Sequence, residues 1–255
     1  MMLNENTAMK LREMRLSGMA DAMNAQMNDH GFEQMPFEDR FGLIVDTEYV
    51  RRQNNRMTRL IKEAGYVVSG ASVEDIEYNE GRKLNRNLIK RLSTCNYIHE
   101  RQNIILLGPA GSGKTFLANA FGMAASRNRL TVKYFKLPDL LGEMAIAQGE
   151  GKYKKLIRQC AGVKLLILDE WLLFPLTPGD AKNLYDLMDL RANSGSTIFC
   201  SQFDITAWHD KIGETAVADS ICDRIVHNAH KIVIGGNDSM RKRKYSGEIQ
   251  NANIG

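Results

Sequence analysis

The sequence predicts an α/β fold: a parallel five-stranded sheet flanked by helices, with a small all-helical N-terminal domain. Three observations carry this. From residue 103 onward, short apolar runs such as Asn103–Leu107 and Val163–Leu168 alternate with longer stretches of helical periodicity. The first run leads into Gly108-Pro109-Ala110-Gly111-Ser112-Gly113-Lys114-Thr115, a glycine, four residues and Gly-Lys-Thr, which is the P-loop spacing. Residues 1–75 hold helical patterns and a Gly/Ser/Val linker-like end, with no strand-type run.

In order along the chain, Thr7–Asn28 reads as a helix, with Leu16, Met19, Ala20, Met23 and Met27 on one face and Gly31 as its stop. That methionine-rich stripe suits core packing, or an adaptable partner surface. Pro36 opens a second helix that runs to Ala64 and stops at Gly65. Its second half is basic, with Arg51, Arg52, Arg56 and Arg59 and almost no acid until Glu63, a pattern suited to phosphate backbones. Glu80–Thr94 reads as a third helix, with Leu84, Leu88 and Leu92 on one stripe and Arg82, Arg86 and Lys90 on another, a second basic face expected to contact DNA. Residues 1–75 are thus expected to be a DNA- or partner-binding domain.

Asn103–Leu107 is the first strand and Phe116–Ala125 the helix after the glycine loop. Thr131–Phe135, Val163–Leu168, Thr197–Ser201 and Lys231–Ile234 complete five strands. Helices are expected over Pro138–Gln148, Tyr153–Cys160, Pro178–Asn193 with Thr177 as N-cap, and Glu214–Asn228. Residues 76–245 form the second domain, and 246–255 a polar, disordered tail.

Composition bounds the remainder. The 255 residues are 44% hydrophobic, enough for a sizeable core, and the net charge of +4 names no partner by itself. Cys95, Cys160, Cys200 and Cys222 are far apart and read as buried thiols. Charges interrupt the first 29 residues, and no apolar run reaches membrane-spanning length, so a cytoplasmic protein without a membrane partner is expected.

The residue types in the glycine loop suit a polyphosphate. Glycines allow close backbone approach, successive N–H groups form an anion nest, and the following helix adds positive charge at its N-terminus. The stretch Gly108 to Phe116 is therefore expected to hold ATP. Lys114 would meet the β- and γ-phosphates, and the Thr115 hydroxyl would meet Mg²⁺.

An apolar strand ending in Asp169-Glu170 has no packing reason to do so. Asp169 suits the Mg²⁺ shell and Glu170 the base that polarises an attacking water. The acid pair favours hydrolysis over transfer to a substrate hydroxyl. Gln202, after the fourth strand, can sense the γ-phosphate. Arg224 suits either a cation offered to a neighbouring subunit's phosphate or a surface salt bridge with Asp219 or Asp223. Arg241 could reach the nucleotide in its own subunit. Tyr97 and Ile98, just before the first strand, are candidate base neighbours.

With these residues placed, the chain resembles the AAA+ ATPases of the IstB/DnaC type over roughly residues 5–245. The carriers are the P-loop, Leu168-Asp169-Glu170, Ser201-Gln202 with Trp208-His209, Asp223-Arg224-Ile225-Val226-His227, and the segment from Gly236 to Arg241. The resemblance implies a helper ATPase of insertion-sequence transposition that oligomerises on duplex DNA and recruits or stimulates a cognate transposase. It makes Arg224 an arginine finger, Gln202 the first sensor and Arg241 the second, and against that family's P-loop AAA+ pattern the few residues after Ile234 leave little or no C-terminal lid. A DnaC-like replicative helicase loader is the alternative.

Overall fold

The computed structural model describes residues 2–213 and 215–236. They divide into two compact units between Arg59 and Leu60, and the division falls inside one long helix.

In the first unit, α1 (Met2–Glu13) and α2 (Ser17–Met27) precede α3, which begins at Phe37 and ends at Ala64 in the second unit. The single helix expected over Thr7–Asn28 is broken between them. Arg15 takes a φ of 60° and turns the chain, although the apolar spacing continues past the break. Glu48 anchors α2 to α3 by accepting from the Gly18 N–H at 2.7 Å.

The second unit begins with the end of α3. Residues 60–75, expected with the helical domain, pack here, with Ala64 and Tyr66 against the sheet core. Leading to the sheet are α4 (Arg86–Ser93) and the short α5 (Asn96–His99). The helix expected from Glu80 to Thr94 starts late, because Lys83 is left-handed at φ 52° and the Asn85 side chain caps α4 by accepting from Leu88 N.

The strands are β1 (Asn103–Leu107), β2 (Val132–Lys136), β3 (Leu165–Asp169), β4 (Ser196–Ser201) and β5 (Ala229–Val233). All pair in parallel, in the order β2-β3-β4-β1-β5. Between them run α6 (Lys114–Arg127), α7 (Leu137–Gly149), α8 (Tyr153–Gly162), α9 (Pro178–Arg191), α10 (Trp208–Ile212) and α11 (Thr215–Val226). Thr177 caps α9 as expected, in a reciprocal box with Asp180.

Strand residues alternate between two apolar layers. Ile104, Leu106, Leu165, Ile167 and Ile198 face α6 and the α4–α5 region. Ile105, Leu107, Leu166, Leu168 and Phe199 face α7, α8, α9 and α11. A parallel sheet buried on both faces explains why its strands read as continuous apolar runs.

At the entry end of the sheet sits Arg191, 2% exposed. Its guanidinium donates to Cys160 O at 2.7 Å, Val163 O at 3.1 Å, Thr197 Oγ1 at 2.8 Å and Ser196 O. Burial lowers its pKa to about 10. The four cysteines are buried and free, as read from their spacing.

Candidate active site

Parallel register brings the chemistry to one rim. Leu107 at the end of β1 pairs with Ser201 of β4 and Val233 of β5, and Lys136 at the end of β2 pairs with Asp169 of β3. The glycine loop, the acid pair and Gln202 therefore all leave the sheet at the carboxyl ends of its strands.

The loop is built for close approach. A Cβ at Gly108 would stand 2.6 Å from Ile234 O, so this position has no room for a side chain. Gly111 and Gly113 take φ values of 78° and 95°. The Ser112 hydroxyl is buried with no hydrogen-bond partner. Lys114 is 8% exposed and donates to Gly108 O at 2.7 Å and Pro109 O at 2.9 Å, so its ammonium lies across the loop. Lys114, Thr115 and Phe116 open α6, where backbone N–H groups have no partner four residues earlier. The Phe116 side chain packs on the core, leaving its backbone to serve an anion. An orphaned hydroxyl, a Cβ-free cradle and a helix N-terminus fit a phosphate chain.

Asp169 is 4% exposed and is held from three sides. Thr115 Oγ1 donates to its Oδ2 at 2.7 Å, Tyr134 Oη donates to the same oxygen at 2.8 Å, and Glu170 N donates to Oδ1 at 2.9 Å. Burial first, and then the carboxylate itself, push the Tyr134 hydroxyl far above its ordinary pKa, so it remains a donor. Threonine hydroxyl and carboxylate in contact form an oxygen donor pair that suits a hard divalent cation.

Glu170 takes a left-handed φ of 55°, which swings it away from the strand line, while Trp171 goes into the core. Its Oε1 meets Lys136 Nζ at 2.8 Å. The hydrogen bond to Glu170 is the main reason the Lys136 ammonium lies above its ordinary pKa. Tyr134 and Lys136, two residues apart on β2, were missed by sequence reasoning. Period-two spacing beside the acid-ended strand was the signal that could have found them.

Gln202 is exposed just past β4. The Ser201 hydroxyl before it accepts from Trp208 Nε1 at 3.3 Å and donates to Trp171 O at 3.2 Å. Trp208 also stacks edge-on to Trp171 at 5.6 Å, so Trp208 of the Ser-Gln…Trp-His pattern wedges the rim in place.

Arg224 pairs with neither Asp219 nor Asp223. From α11 it reaches α9, donating to Asp189 Oδ1 from Nη2 at 2.8 Å and from Nε at 3.2 Å. Nη1 donates to Ser220 O at 3.0 Å and to Ser220 Oγ, and the guanidinium lies 5.0 Å from the Tyr185 ring centre. Arg241 lies outside the described residues.

The basic residues separate. Arg51, Arg56, Arg59, Arg86 and Lys90 are exposed. Arg52 is exposed but engaged, with Glu48 Oε1 at 2.7 Å and Arg15 O at 3.1 Å. Glu48, one turn earlier, is the acid that the reading of a basic face overlooked, and the Arg52 hydrogen bond lowers its pKa. Arg86 lies 5.2 Å from the Tyr78 ring centre. Arg82 departs from the expected DNA contact. It is 7% exposed and donates to Ser112 O in the glycine loop. Tyr97 and Ile98 are corrected too, since they are buried before β1, at the end of the sheet away from the loop.

Among the described residues no helix is long and apolar enough to cross a membrane. The chain is 36% identical over 243 residues to the insertion sequence ATP-binding protein y4pL of Sinorhizobium fredii, covering 95% of this chain and 98% of that one. It is 37% identical over 201 residues to the insertion sequence IS1162 ATP-binding protein of Pseudomonas fluorescens, covering 79% and 87%. The fold is similar to the crystal structure of the DnaC helicase loader, with a TM-score of 0.53 and 21% identity over 65% of this chain and 97% of that one. It is also similar to AMPPCP-bound DnaA from Aquifex aeolicus, with a TM-score of 0.58 and 18% identity over 73% of this chain and 56% of that one. The family model of the IstB-like ATP binding proteins matches residues 9–247, and the chain belongs to that family.

Proposed function

We propose that this protein hydrolyses ATP to control its assembly on duplex DNA, and that it recruits or stimulates a transposase in the cytoplasm. The observation that carries this reading is the contact of Thr115 with Asp169 beside Glu170, at the mouth of a P-loop, in a chain whose relatives are insertion-sequence ATP-binding proteins. In this reading the P-loop N–H groups and Lys114 bind and orient the triphosphate. Glu170 takes a proton from a water whose oxygen bonds to the γ-phosphorus, and the bond to the bridging oxygen breaks to release ADP. Lys136 holds the Glu170 carboxylate in place through their 2.8 Å ion pair. Thr115 and Asp169 would hold Mg²⁺, which supplies neutralisation of phosphate charge. Gln202, exposed just past β4, is the amide assigned to orient the water.

Arg224 is the residue offered to a second copy, where a cation completing the site contributes about 10³ to 10⁵ in rate. Arg51, Arg56, Arg59, Arg86 and Lys90 are the candidate phosphate contacts, which position without reading sequence.

The test is Glu170→Gln. It is expected to retain ATP-dependent assembly on duplex DNA, seen by electron microscopy, and to lose about 10² to 10⁴ in turnover. Unchanged hydrolysis would remove Glu170 from the chemistry. Preference for single strands over duplex would favour a helicase loader instead.

A further inference from the structure

Arg82 reaches the glycine loop from outside every motif so far discussed. Its Nη2 donates to Ser112 O at 3.0 Å, and its Nη1 donates to Glu77 O at 2.8 Å. Its own carbonyl accepts from Gly235 N at 3.0 Å, just past β5. One buried residue thus ties the loop, the segment 77–82 and the end of β5 together. That junction is tight, since a Cβ on Gly235 would stand 2.8 Å from Gly81 O.

The bond to Ser112 O has a consequence for anion binding. The peptide joining Ser112 to Gly113 is trans, so its N–H points opposite to its carbonyl. A nest needs its N–H groups to converge on one side while its carbonyls leave on the other. A guanidinium gripping the Ser112 carbonyl fixes that plane and sets the Gly113 N–H in the opposite direction. Its positive charge beside the loop also favours an anion there. We propose that Arg82 is a positioning residue for ATP, acting through the peptide between Ser112 and Gly113, and that it is not a DNA contact.

The proposal rests on the loop being the ATP site, and titrating the wild-type chain in the same assay tests that separately. Arg82→Met and Arg82→Lys in the full chain would be titrated with a fluorescent ATP analogue. Melting temperature without nucleotide, KM, kcat and duplex DNA affinity would be read beside it. Loss of a hydrogen bond from a charged donor predicts about tenfold to a hundredfold weaker ATP binding for Arg82→Met. Arg82→Lys is expected to recover part of that loss. KM is expected to rise with kcat at saturating ATP unchanged, and the salt slope of DNA binding is expected to stay at the wild-type value. Wild-type ATP affinity in a folded Arg82→Met chain overturns the proposal, as does a fall in kcat at constant KM. Should Arg82→Met fail to fold, Gly235→Ala displaces the same junction with Arg82 intact. Weakened nucleotide binding supports the proposal there, and unchanged binding overturns it.

Discussion

If Arg224 serves a neighbouring subunit, it must first leave its own. A guanidinium has five N–H donors, and all five are engaged within the chain, two of them by Asp189 Oδ1 and two by Ser220. Asp189→Asn removes the charge that holds it and keeps the shape. The side chains are 26% and 55% exposed for Arg224 and Asp189, so solvent screens the pair. A buried pair would cost several kcal/mol to break, but an exposed one is worth at most about 1 kcal/mol. That corresponds to about fivefold in an equilibrium. Phosphate release measured against protein concentration, with duplex DNA saturating, should therefore reach half its maximum at about fivefold lower concentration in Asp189→Asn. Arg224→Ala should abolish the concentration dependence in either background. A higher midpoint in Asp189→Asn, or a lower rate at saturating protein, would refute the reasoning and make Asp189 a support of the assembled site.

Lys136→Met frees the Glu170 carboxylate from a half-exposed ion pair, and single-turnover hydrolysis without DNA should change by about fivefold or less. A loss comparable to that of Glu170→Gln would show that Lys136 is itself essential. Tyr134→Phe removes a donor to the buried Asp169 and should lower stability by about 1–3 kcal/mol in urea unfolding, and an unchanged midpoint would show that this hydrogen bond does not support the site. Burial raises the Cys95, Cys160 and Cys222 thiols from 9.0 to about 11, so they are neutral at pH 8 and should react with a thiol reagent only after denaturation. Because the folded values lie above the unfolded ones, their contribution to stability is complete below pH 9.0 and fades as the pH rises toward 11, which denaturant midpoints at increasing pH would show.

The strands and the P-loop were legible because a doubly covered parallel sheet writes itself as apolar runs ending in glycines or acids. Their ends shifted by a residue or two, since parallel pairing and not composition decides where the ladder stops. The break at Arg15 was invisible because the apolar spacing on either side is continuous. Short elements such as α5 and α10 carry too few residues for a period to register. Within the site, the residues that touch phosphate are constrained by local chemistry and could be named from spacing. Those that hold them cannot, because Tyr134, Lys136, Asp189 and Arg82 act across sequence separations that only the fold closes. Arg82 shows the hazard directly, since a basic residue on an apparently basic helix proved to be internal support.

Arg191 has one more implication. A single buried cation clasps backbone from the end of α8 and the start of β4, and it is itself the last residue of α9. Replacing Arg191 would take a donor from the Cys160, Val163 and Ser196 carbonyls and from the Thr197 hydroxyl at once, so a single change would loosen the floor of the sheet in several places. The opposite margin carries Lys136 and Asp169 at strand ends and Lys114 at the start of α6. The clamp and the phosphate-facing residues thus occupy opposite ends of the same strands, so a change at one need not disturb the other.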